Sequence, residues 1–87
     1  MGTMFKSLHS PQNQRLIGWL KQQREARGLS MRALAELMEV PHSLVGKVEQ
    51  GERRLDVVEF LQYCEALEVS PISAIKYIQR GSSQGVI

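Results

Sequence analysis

Residues 30–51, SMRALAELMEVPHSLVGKVEQG, leave this chain few choices of fold. Ser30 is a good helix N-cap, and Leu34, Ala35, Leu37 and Met38 follow it at helical spacing. Glu39-Val40-Pro41 then breaks the pattern. Proline lacks the amide proton that a helix interior needs, but its fixed φ suits a first turn. Pro41 therefore closes one helix and opens another. The second segment sets Val45 and Val48 on one side and stops at Gly51, which enters the left-handed region without strain. Two short helices across a tight turn make a helix-turn-helix.

The rest of the chain repeats the same punctuation. Ser10-Pro11 pairs a cap with a proline at the first helical position, and a helix is expected from there to about Arg27, ended by Gly28. Its inward stripe is Leu16, Ile17 and Leu20, continued by Arg24, with Trp19 beside the stripe and Leu29 tucked into the core. Glu52-Arg53-Arg54-Leu55 is a short charged loop. Asp56 caps a fourth helix to about Leu67, with Val57, Phe60, Leu61, Cys64 and Leu67 expected on one face. Ser70-Pro71 opens a fifth, to about Gln79, with Ile72, Ile75 and Ile78 at period three and Gly81 as its stop. Residues 1–9 show no helical period and read as a loose arm, and residues 81–87, GSSQGVI, as a disordered tail. The expectation is one all-α domain of five helices over residues 10–80.

Composition removes several function classes. A 43% hydrophobic content suits a packed core, and the single cysteine cannot close an intramolecular disulfide. Cys64 reads as a small buried hydrophobe, and no Cys/His spacing suggests a metal or cofactor. No apolar run approaches the ~20 residues of a membrane span, and no signal-peptide pattern opens the chain, so a cytoplasmic protein is expected. The net charge of +2 is unevenly spread: residues 1–54 carry nine Lys/Arg against five Glu, and residues 55–87 two against four Asp/Glu. The positive half holds the helix-turn-helix, as a polyanion partner would require. No nucleophile elbow, P-loop or paired-carboxylate pattern supports an enzyme.

The pieces LIGWLKQQREARGLS, ALAELMEV, VGKVEQGERR and FLQYCEALEVSP occur in the order and spacing of a known family. Over Leu16–Ser70, about two-thirds of the chain, the sequence resembles the lambda-repressor/Cro-like (XRE) helix-turn-helix regulators. It differs at Met31, where the family usually has Gln, and at Pro41, where it often has Ser or Thr. The resemblance implies a lambda-repressor-like fold and a transcriptional regulator that binds double-stranded DNA, with the second helix of the motif in the major groove.

With Val45 and Val48 inward, the ~100° step per residue turns His42, Ser43, Gly46 and Lys47 outward. His42, Ser43 and Lys47 are then the candidate base readers, with Leu44 placed to meet a thymine methyl. Candidate phosphate contacts are Ser30 and Arg32 at the start of the second helix, then Gln50, Arg53 and Arg54. In similar repressors an arginine of the first helix pairs with a glutamate ending the third. Arg24 and Glu49 fall on those positions. One such domain covers little DNA, so a homodimer is expected, with Ile72, Ile75, Tyr77 and Ile78 and also Trp19 as its surface. The layout resembles stand-alone phage-type repressors and restriction–modification controller proteins. An alternative use of the same fold is a protein-interaction module, such as an antitoxin holding a toxin.

Overall fold

A computed structural model describes the backbone over residues 10–86 and side chains over residues 10–80. Five α-helices make up the described residues: α1 (Pro11–Ala26), α2 (Met31–Met38), α3 (His42–Glu49), α4 (Val57–Leu67) and α5 (Pro71–Val86). The arm expected over residues 1–9 lies outside the described residues.

Each helix start follows its local chemistry. Ser10 Oγ accepts the Asn13 amide at 3.1 Å, and Ser30 Oγ accepts that of Ala33 at 3.0 Å. Asp56 and Glu59 form a reciprocal capping box: Asp56 Oδ1 accepts the Glu59 amide at 2.7 Å, and Glu59 Oε1 accepts the Asp56 amide at 3.0 Å. Pro41 occupies the N-cap of α3 with φ −61° and ψ 141° and supplies no side-chain cap. Gly28 and Gly51 both adopt positive φ, at 70° and 78°. The α2–α3 and α4–α5 turns reach the same left-handed conformation at Glu39 (φ 60°) and Glu68 (φ 59°), where any side chain is strained. Matching bonds close both turns: Val40 donates to Ala35 O and Val69 to Cys64 O, each at 3.0 Å.

Leu20, Leu34, Ala35, Met38, Val45, Val48, Tyr63 and Leu67 form the core, with Trp19, Leu29 and Leu44 partly buried against it. Two sequence expectations need correction here. On α4 the inward stripe is Phe60, Tyr63, Cys64 and Leu67, while Val57 and Leu61 stand in solvent. The Tyr63 ring takes the centre of that face and rotates Leu61 off it. Leu37 of α2 is likewise exposed. The second correction is at the C-terminus: α5 runs through Gly81 to Val86 rather than ending in a disordered tail. A helical glycine costs ~1 kcal/mol but keeps its amide donor, and no proline follows to remove one.

Gly46 sits inside α3, and a Cβ added there meets nothing within 4 Å. Replacing it with alanine is therefore expected to stabilise the fold by ~1 kcal/mol, raising Tm by roughly 4–8 °C in a thermal melt. A lower Tm would show that the α3 backbone needs glycine for a reason other than space.

Candidate nucleic-acid interface

The outer face of α3 is set by what its inner face buries. Val45 and Val48 are fully enclosed, which turns His42, Ser43 and Lys47 into solvent. Leu44 lies at the border, half-buried against the core. The exposed side chains thus present an imidazole and a hydroxyl on the first turn and an ammonium one turn on. Those groups can donate to, and the first two also accept from, base edges in a major groove.

A buried latch fixes the angle of α3. Arg24 of α1 donates through Nε to Glu49 Oε2 at 2.6 Å and through Nη2 to Oε1 at 3.0 Å, with side chains only 10% and 6% exposed. Arg24 Nη1 also donates to the Leu29 carbonyl at 2.7 Å. One guanidinium therefore ties α1, the end of α3 and the loop leading into α2. The bond to Glu49, more than any other influence, raises the pKa of Arg24 further and keeps it charged despite burial.

The expected phosphate contacts fall into two groups. Arg32, Gln50 and Arg54 are exposed near the ends of α2 and α3, and Ser30 is exposed although its hydroxyl caps α2. Arg53 is already engaged. Its guanidinium forks onto Glu59, Nη1 to Oε1 at 2.9 Å and Nη2 to Oε2 at 2.7 Å, and Nη1 also donates to the Arg54 carbonyl. Glu59 is an acid, and an acid is no partner for a phosphate, so its charge alone does not point to this site. The pattern Asp56-x-x-Glu59 marks it instead as a capping-box residue aimed back at this loop.

The Arg53 hydrogen bond, and then the Asp56 backbone bond, hold the Glu59 carboxyl at about 2, below its ordinary 4.5. A carboxylate whose folded pKa is depressed stabilises the fold above its unfolded pKa and loses that contribution as pH falls through the folded value. A Glu59→Gln variant should accordingly melt below the wild type at pH 6, and the gap should close between pH 4.5 and about 2. A gap that stays constant over that range would contradict this role.

The residues expected to carry self-association lie on α1 and α5. Ile72 and Ile75 are exposed, at 60% and 46%, and Ile78 is half-buried. Trp19 packs on the protein's own core. Tyr77 is used inside the chain: the Arg15 guanidinium lies 4.1 Å over its ring and donates to its carbonyl at 3.1 Å. Both rings are half-buried, and Val57 (72%), Val58 (64%) and Leu61 (48%) of α4 add exposed apolar surface beside that of α5. An apolar groove of about 340 Å³ runs between these helices, lined by Leu16, Val57, Phe60, Leu61, Ile75 and Ile78 among others. Among the described residues, no helix is long and apolar enough to cross a membrane, and no group of three or more His, Cys, Asp or Glu is placed to hold a metal ion.

A family model for a helix-turn-helix domain matches residues 18–73. An XRE-family-like protein from Pseudomonas syringae pv. tomato is 31% identical, with 92% of this chain and 96% of that one covered and a TM-score of 0.79. The restriction-modification controller protein C.AhdI from Aeromonas hydrophila is 32% identical over 75% of this chain and 98% of that one, with a TM-score of 0.70. The clp gene regulator ClgR from Corynebacterium glutamicum, 20% identical over 86% of this chain and 80% of that one, shares the fold with a TM-score of 0.75. No curated protein matches the sequence. The chain belongs to the XRE family of helix-turn-helix transcriptional regulators.

Proposed function

We propose that this DNA-binding regulator recognises a specific duplex sequence by laying α3 in the major groove, as a homodimer acting as a repressor or small controller of transcription, without catalysis. The observation that carries this reading is the orientation of α3: His42, Ser43 and Lys47 face out while Val45 and Val48 are buried beneath them. Leu44 borders the reading face. Ser30, Arg32, Gln50 and Arg54 are the phosphate contacts that set register. Two copies would place their α3 helices in successive major grooves, about 34–36 Å apart, on a two-fold symmetric site. The C.AhdI likeness, to a controller protein, supports the regulatory role.

The test is a fluorescence-anisotropy titration against random duplex and against sequences recovered by selection, repeated over a salt series. Specific regulation requires log K to fall linearly with log salt and the selected site to outcompete random duplex by at least ~10³-fold. Absence of duplex binding at any salt, with a stable protein complex formed through the α4–α5 face, would favour the interaction-module alternative.

A further inference from the structure

Arg53 is a candidate phosphate contact whose end-on donors the fold has already taken. It lies three residues beyond Gln50, the C-cap of α3, on the loop that follows the reading helix. Its fork onto Glu59 uses two parallel N–H···O bonds of 2.9 and 2.7 Å, the arrangement in which a guanidinium also grips a phosphate. The carboxylate does not depend on Arg53 for its position. Glu59 is held at the start of α4 by the capping box, with its Oε1 accepting the Asp56 amide. The α4 N-terminus thus carries a fixed anion, and the loop cation closes on it.

We propose that Glu59 withholds Arg53 from DNA: its carboxylate occupies the place a backbone phosphate would take and lowers affinity for duplex of any sequence. This inference rests on the DNA-reading function above. A cation neutralised inside the protein releases no counterions from DNA, so a withheld Arg53 adds nothing to the salt dependence of binding. The effect falls on sequence-independent affinity, because phosphate contacts carry no base information. Both side chains remain partly exposed, at 39% and 23%, so the pair is accessible to a competing anion rather than sealed in the core.

The experiment compares the slope of log K against log salt on random duplex for the wild type, Glu59→Gln, Arg53→Gln and the double variant. Glutamine keeps an oxygen for the Asp56 amide, so the start of α4 is preserved, and circular dichroism checks it. Glu59→Gln is expected to steepen the slope by about 0.9, one phosphate, and to tighten binding at low salt, with its advantage over the wild type shrinking about 3.5-fold between about 50 and 200 mM. Arg53→Gln, which leaves the capping box untouched, should keep the wild-type slope, and the double variant should return to it. A Glu59→Gln slope equal to or shallower than wild type overturns the inference. So does an Arg53→Gln slope shallower by about 0.9, since Arg53 would then already grip a phosphate. A wild type that binds no duplex removes the DNA-reading function itself, a different result from an unchanged slope in a protein that binds.

Discussion

Glu49→Gln is expected to cost on the order of 3 kcal/mol of stability, a Tm loss of roughly 12–24 °C in a domain this small. The glutamine fills the same space but carries no charge. Arg24 then keeps a full positive charge at 10% side-chain exposure, offset only by the largely solvated Glu25 carboxylate 3.9 Å away. Stranding a buried charge is the costly half of breaking such a pair, and the loss is a sizeable share of a typical 5–15 kcal/mol total. The DNA prediction follows from the same geometry. The latch sets the angle between α1 and α3, so affinity for the selected site should fall even well below the new Tm. Replacing Arg24 and Glu49 together by apolar residues of similar volume should restore much of the stability without restoring affinity. A single variant that melted and bound like the wild type would show that packing alone aims α3.

Ile75→Glu should give the other large effect, on assembly. Ile75 is almost half exposed, so a carboxylate there can reach water in the monomer and should change the monomer's stability little. In an apolar contact between two copies it would be desolvated without a partner. Sedimentation velocity should show the wild type as a dimer at tens of micromolar and the variant as a monomer. DNA affinity should fall by about 10²–10⁴-fold, the factor lost when a second linked binding event is removed. The same substitution at Leu61 should act alike, because Leu61 and Ile75 line one groove. A wild type that is monomeric at these concentrations would remove the homodimer.

Much of the architecture was legible because its signals are local. Ser10-Pro11, Ser30, Asp56 and the glycines at 28 and 51 each act within one turn of the chain, and the helices begin or end where those residues dictate. Glu39 and Glu68 were not legible as left-handed residues. Nothing in a glutamate favours that conformation, and the strain is tolerated because turn hydrogen bonds and core packing close around it. Gly81 shows the converse, since a glycine weakens a helix without obliging it to stop, and α5 continues through it. On α4, several faces are apolar enough to bury, and only the space left by the other helices selects Tyr63 over Leu61.

The site divides along the same line. The outward turn of His42, Ser43 and Lys47 follows from two valines and the helical period. The partnership of Arg24 with Glu49 came from family resemblance, as no spacing rule joins residues 25 positions apart. The Arg15–Tyr77 contact spans 62 positions and had no sequence signal. Glu59 could have been anticipated from its capping-box position. Its grip on Arg53 depends on where α4 sets off relative to the loop, which is a tertiary fact.

His42, Ser43 and Lys47 lie outside the buried cluster, while the groups that hold α3 in place lie on its opposite side. On the proposed reading, target choice and foldedness are written in separate residues of one short rod. After gene duplication, such a protein can drift toward a new operator through these few surface letters, with no compensating change in the scaffold.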